Sequence, residues 1–167
     1  MSMYSIIISN LKYLIPLFTT FIFTIITITP IMPIGYESLA PLLGVISMAF
    51  WIIHRPDIMG WFFVIIIGFF SDVFYGSILG SGILASITIR IVITKLLYKL
   101  EPINIYHSIL YISTSIIIWL FVSLFIKFLL NIEFFSLYNF FFQALISIII
   151  SPVVIFFQLY LLKKISS

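Results

Sequence analysis

Long apolar runs alternate with short polar breaks along the whole chain. A helix that crosses the roughly 30 Å hydrocarbon layer of a bilayer uses about 20 apolar residues, so each run predicts one helix. The predicted spans are about Leu14–Ile31, Leu39–Ile53, Ile58–Tyr75, Gly82–Tyr98, Ser108–Leu130 and Leu137–Leu162. We therefore predict an all-α polytopic membrane protein, a compact bundle of six transmembrane helices. The bundle is expected to form a single integral-membrane domain over residues 1–167, with no soluble domain.

The second run is the shortest of the predicted spans. It contains Pro41 near its start, and the polar segment His54-Arg55-Pro56-Asp57 follows it. Proline lacks a backbone N–H and interrupts a helix, so this run is a thin or tilted span or a partly re-entrant segment. A bundle of five spans is the alternative to six.

Composition agrees with a membrane setting, because 63% of the residues are hydrophobic and only 8% are charged. The chain contains no cysteine, which excludes disulfide bonds and thiolate metal sites. A formal net charge of +3 is too small and too scattered for a nucleic-acid-binding surface.

Positive charge predicts the orientation of the bundle, because Lys and Arg are retained on the cytoplasmic side of short loops. With the N-terminus inside, the residues on the cytoplasmic side are Lys12, Arg55, Lys95, Lys99, Lys163 and Lys164. The predicted outer loops around Glu37, Ser77 and Glu133 contain no Lys or Arg. We therefore expect both termini in the cytoplasm.

A carboxylate stands inside the third apolar run, where hydrocarbon cannot solvate it. Gly60, Gly68, Asp72 and Gly76 are separated by multiples of four residues, which places them along one side of a helix. Gly82, Ser86 and Arg90 repeat this spacing on the next predicted helix. Small residues permit close helix contact, so the two stripes are expected to face each other across a tight turn.

Arg90 is the predicted counter-ion of Asp72. Counting 1.5 Å per residue from the turn places Asp72 level with Ser86 and leaves Arg90 about 6 Å deeper in the membrane. The two side chains are expected to lean toward each other and to pair, fixing the geometry of the hairpin. The alternative role for this pair is a proton relay or an ion pathway, for which a single acid and base are poorly suited.

Two further polar stripes occur on the fifth and sixth predicted helices. They are Ser115, Trp119, Ser123 and Lys127 on the fifth, and Gln143, Ser147 and Ser151 on the sixth. We favour packing inside the bundle over a surface for a partner helix. Pro152 should kink the sixth helix, with Ser151 or a neighbour satisfying the carbonyl that proline leaves free.

The segment between residues 68 and 85 carries a motif, Gly68-x-x-x-Asp72-x-x-x-Gly76-Ser77-x-Leu79-Gly80-x-x-x-Leu84-Ala85. Together with Pro41 and the Arg55-Pro56 step, it closely resembles the bacterial rod shape-determining protein family MreD. Chain length, short loops and an acidic residue in the third span also agree with that family. Arg90 matches no position of the family pattern.

The resemblance implies a non-catalytic scaffold in the bacterial inner membrane. It would belong to the cell-elongation complex, and it would maintain cell shape by linking a cytoskeletal filament to peptidoglycan synthesis. The implied partners are an MreC-like single-span membrane protein, an MreB-like actin filament, RodA and penicillin-binding cell-wall synthases, and membrane lipid. No nucleic acid is implied. The residues expected to matter for structure or interaction are Asp72, Arg90, Gly68, Gly76, Leu79, Gly80, Gly82 and Ser86.

A second class of protein has a similar size and helix number: the substrate-binding S component of an energy-coupling-factor vitamin transporter. That class presents an Ala-x-x-x-Ala surface on its first helix, whereas the first run here has no alanine. The predicted outer loops are also short and poor in groups that recognise a ligand. No HExxH or G-x-S-x-G pattern is present, so we expect neither an enzyme nor a metal or cofactor.

Overall fold

The computed structural model describes residues 3–29, 39–98, 104–130 and 137–166. Within these ranges the chain forms six α-helices and no strand: α1 (Met3–Ile28), α2 (Leu43–His54), α3 (Trp61–Tyr75), α4 (Ser81–Leu97), α5 (Ile105–Leu129) and α6 (Leu137–Ser166). Each helix corresponds to one apolar run, which confirms the all-helical prediction. The loops around Glu37, Lys99 and Glu133 and the side chain of Lys12 lie outside the described residues.

The short helix α2 forms the centre of the bundle. Eleven of its 12 residues are buried, and α1, α3, α4, α5 and α6 all pack against it. The large side chains of Phe50 and Trp51 are fully buried, and Trp51 Nε1 donates to Thr19 Oγ1 on α1 at 2.9 Å. Hydropathy alone did not distinguish this helix, because a helix surrounded by protein is as apolar as one that faces lipid.

The chain that leads into α2 is not helical from residue 40 to residue 42. Two side chains of α6 satisfy its backbone: Gln143 Nε2 donates to the Ala40 carbonyl at 3.0 Å, and Ser147 Oγ accepts from the Leu42 N–H at 3.1 Å. Irregular backbone is tolerated at membrane depth only where protein covers it. The second run is therefore a short helix preceded by a non-helical segment, and the helix starts later than the predicted Leu39.

Two helices of the described residues are long and apolar enough to cross a membrane, Ile105–Leu129 and Tyr138–Lys164. The apolar stretches Leu14–Thr27, Leu43–His54 and Trp61–Tyr75 are shorter. A helix of 12 residues, such as α2, is only about 18 Å long. The number of membrane crossings and the side on which the termini lie remain predictions.

The polar stripe of α6 packs inside the bundle, as predicted, because Gln143 and Ser147 bind the approach to α2. Ser151 Oγ donates to the Ile148 carbonyl at 2.8 Å. This is the carbonyl that Pro152 leaves without its helical N–H, so the predicted compensation is confirmed. On α5, Ser115 and Trp119 are also buried.

Candidate functional site

Asp72 lies in the last turn of α3 and is only 1% exposed. Its carboxylate accepts four hydrogen bonds. Oδ1 accepts from Ser77 Oγ at 2.8 Å, from Ser81 Oγ at 2.9 Å and from the Gly82 N–H at 2.6 Å. Oδ2 accepts from the Gly80 N–H at 2.8 Å. The buried charge is thus satisfied by donors rather than by a cation.

These donors belong to the start of α4 and to the turn before it. Gly80 is the N-cap of α4, and it has no side chain that could cap the helix. The first N–H groups of a helix have no intrahelical partner, and the helix dipole favours negative charge at this end. Asp72 therefore acts as a capping residue that reaches α4 from the neighbouring helix α3.

The turn between α3 and α4 depends on two glycines with positive φ. Gly76 ends α3 at φ +58°, and its N–H bonds to the Asp72 carbonyl. Gly80 has φ +103°. Left-handed backbone is unfavourable for residues that carry a Cβ, so the sequence places glycine at both positions. The predicted role of Gly76 and Gly80 in the turn is confirmed.

Close packing of α3 on α4 depends on Gly68 and Gly82. A Cβ on Gly68 would lie 2.7 Å from the Gly82 carbonyl oxygen and 2.5 Å from Ser86 Oγ. A Cβ on Gly82 would lie 2.7 Å from the Gly68 carbonyl oxygen and 2.7 Å from Asp72 Oδ1. The two stripes therefore face each other, as predicted. Gly60 is not part of this contact, since nothing lies within 4 Å of a Cβ placed there.

The predicted register is wrong by about one helical turn. Asp72 meets Gly82 at the start of α4, and Ser86 faces Gly68 instead. The prediction counted about 1.5 Å per residue along two straight helices and did not include the bend of the turn. This bend brings the Gly80 and Gly82 N–H groups into contact with the carboxylate. Gly68, Asp72, Gly82 and Ser86 nevertheless form one continuous contact between the two helices.

The predicted ion pair between Asp72 and Arg90 is also wrong. Arg90 Nη1 donates to the Met59 carbonyl before the start of α3, and Arg90 Cζ lies 5.0 Å from the centre of the Trp61 ring. The side chain therefore extends toward the opposite end of the hairpin from Asp72. The carboxylate already has local donors, and the long arginine stem reaches the far end of α3.

Leu79 is the other predicted site residue that does not join the cluster. It lies in the turn before α4 and is 68% exposed. Its side chain is therefore available to lipid or to another molecule, whereas the neighbouring Gly80 and Ser81 face Asp72.

Sequence reasoning missed Ser77 and Ser81 as ligands of the carboxylate. The signal was present, because both hydroxyls flank a glycine-rich helix start within ten residues of Asp72. It also missed Gln158 on α6, which is fully buried and whose Nε2 donates to Ser47 Oγ on α2. Ser47 in turn lies 3.2 Å from Thr20 Oγ1 on α1.

Comparison with known protein families gives a match over nearly the entire chain. The model for the rod shape-determining protein MreD matches residues 7–165, which include every residue of the α3–α4 contact. Among curated proteins no match is found, and no solved structure matches either.

Proposed function

The chain belongs to the rod shape-determining protein MreD family, and we propose that it is a non-catalytic membrane scaffold of the bacterial cell-elongation complex. In this role it links a cytoskeletal filament to peptidoglycan synthesis and so maintains rod shape. The family match over residues 7–165 is the observation that carries the proposal.

The proposed location is the bacterial inner membrane, which the chain crosses several times with both termini in the cytoplasm. The apolar outer faces of α5 and α6 support a lipid setting. Their large exposed side chains include Phe121, Phe125, Phe128, Phe141, Ile149 and Phe156. Lys95 and Arg55 lie at the ends of α4 and α2 that the charge distribution assigns to the cytoplasm.

The geometry suits a scaffold because it fixes the relative positions of the helices. Asp72 attaches the start of α4 to α3, and the contact between Gly68 and Gly82 holds the same two helices close together. A rigid pair of helices gives an intramembrane partner a surface of constant shape. We propose that this surface serves an MreC-like single-span protein, and that the complex includes an MreB-like filament, RodA and penicillin-binding synthases.

The filled centre of the bundle favours the scaffold over the vitamin-binding alternative. Side chains of α2, including Ile46, Met48, Phe50 and Trp51, are fully buried between the surrounding helices. A small-molecule site needs a concave space lined mostly by apolar side chains with a few polar groups, whereas α2 fills the centre of this bundle.

Depletion in a rod-shaped bacterium tests the proposal. We expect depleted cells to become round, and we expect a tagged copy of the chain to recover a single-span membrane partner in pulldown. Re-expression of the wild-type chain should restore rods, whereas Asp72→Ala should not, at equal amounts in the membrane. Vitamin auxotrophy with normal cell shape would contradict the scaffold and support the transporter.

A further inference from the structure

Arg90 is a cation without an acidic partner among the described residues. Asp72 is held by the start of α4, and the ion pair within the described ranges joins Arg55 Nε to Asp57 Oδ2 at 3.8 Å. A guanidinium has five N–H donors, and the Met59 carbonyl accepts from one of its nitrogens. A backbone carbonyl satisfies a donor but does not neutralise the charge.

The guanidinium lies at the rim of the α3–α4 hairpin, at the start of α3. It lies against the ring of Trp61, which is 52% exposed. Phe62 is next to Trp61 on the outer surface of the hairpin and is also exposed. Arg90 itself is half-buried, so the cation lies at the edge of the bundle and is partly accessible from outside.

Phosphate is the abundant anion at this level of a membrane. Tryptophan side chains are enriched at the headgroup level of a bilayer, and the positive-inside rule assigns this end of α3 to the cytoplasmic leaflet. That leaflet carries anionic lipids. A guanidinium binds phosphate oxygens with two parallel hydrogen bonds, which an ammonium group does not reproduce.

We propose that Arg90 and Trp61 form a binding site for the phosphate of an anionic phospholipid in the cytoplasmic leaflet. Arg90 supplies the positive charge and the paired N–H donors for the phosphate. Trp61 holds the plane of the guanidinium group, and Phe62 contacts the part of an acyl chain next to the headgroup. This proposal rests on the membrane placement proposed above, but it does not depend on the role in cell shape.

The chain provides its own control in Arg55. Arg55 begins the loop between α2 and α3, and Arg90 binds the Met59 carbonyl near the end of that loop. The two arginines therefore lie at the same end of the bundle. Unlike Arg90, it has a carboxylate partner in Asp57. A lipid phosphate gains less from a cation whose charge is already compensated, so the two arginines should differ in their effect on lipid binding.

Lipid retention on the detergent-purified, full-length protein tests the site. The protein is titrated with phosphatidylglycerol or phosphatidylcholine, and bound lipid is measured by native mass spectrometry. We expect Arg90→Gln to weaken phosphatidylglycerol binding about fivefold or more, and Arg55→Gln to leave it unchanged. Phosphatidylcholine should bind the wild-type protein more weakly than phosphatidylglycerol does.

Two further variants keep the test decisive if Arg90→Gln does not fold. Arg90→Lys retains the charge but loses the paired donors, and Trp61→Leu removes the ring and leaves Arg90 in place; each should weaken binding. Wild-type affinity in these variants, or equal loss in Arg55→Gln, would overturn the site. Displacement of the lipid by inorganic phosphate at an equal concentration would also overturn it, because the site would then recognise phosphate alone.

Discussion

The carboxylate of Asp72 accepts a hydrogen bond from the backbone N–H of Gly82, with 2.6 Å between Oδ1 and the nitrogen. An acidic side chain on one helix thus caps the first turn of the next. Hydrogen bonds that involve a charged group are stronger than neutral ones, and they gain further from low-dielectric surroundings. This contact explains how a charge is accommodated in an apolar hairpin without a cation.

Asp72→Asn should destabilise the protein although it preserves the shape of the side chain. The amide places an N–H₂ group where the carboxylate accepts, so at least one backbone or hydroxyl donor loses its acceptor. We expect the free energy of unfolding in detergent micelles to fall by about 2 to 3 kcal/mol. Asp57→Asn is the control, since Asp57 is exposed, and it should change stability by less than about 0.5 kcal/mol.

Gly68→Ala should push α3 and α4 apart. The new Cβ would lie 2.7 Å from the Gly82 carbonyl oxygen and from Ile83 Cα, and backbone atoms of a helix cannot move away independently. We expect a loss of about 1 to 3 kcal/mol in unfolding measurements. Gly60→Ala is the matched control, because a Cβ there meets nothing within 4 Å. Equal losses at the two glycines would contradict the close contact.

Gly76→Ala should destabilise the turn through backbone strain rather than through a clash. Gly76 has φ +58° and open space around the position of a Cβ, so the expected loss is the left-handed penalty of about 1 to 2 kcal/mol. Gly76→Asn should lose less, because asparagine tolerates this region better than alanine does. Thermal unfolding of the two variants side by side measures the difference.

Asp72 and Arg90 should contribute to stability independently. Their hydrogen-bond partners lie at opposite ends of the α3–α4 hairpin, so a double-mutant cycle of Asp72→Asn and Arg90→Gln should give a coupling energy below about 0.5 kcal/mol. A coupling energy of several kcal/mol would instead indicate a direct ion pair between Asp72 and Arg90, as the sequence spacing predicted.

The sequence predicted the helices well because each coincides with an apolar run, and it predicted the facing glycines because small residues recur every fourth position. It did not predict the partners of Asp72. The spacing of Asp72 and Arg90 describes two ideal helices, whereas the turn brings Gly80 and Gly82 closer to the carboxylate than any residue deeper in α4. The carboxylate is therefore satisfied by donors of the turn and the first turn of α4, and not by Arg90.

The central position of α2 was likewise beyond sequence reasoning. Residues that face lipid and residues that face other helices are both apolar in a membrane protein, so hydropathy does not separate them. The polar side chains of α6 are related to this position, because Gln143 and Ser147 form hydrogen bonds with the backbone that precedes α2. Such partners become visible only when the tertiary contacts are known.

Amide exchange at Gly82 tests the capping of α4 by Asp72 most directly. The chain has seven glycines, so labelling glycine with ¹⁵N gives a small set of amide signals in a nanodisc sample. We predict slow exchange of the Gly82 amide in the wild-type protein, much faster exchange in Asp72→Ala, which removes its acceptor, and no change in Arg90→Gln. An unchanged exchange rate in Asp72→Ala would contradict the account.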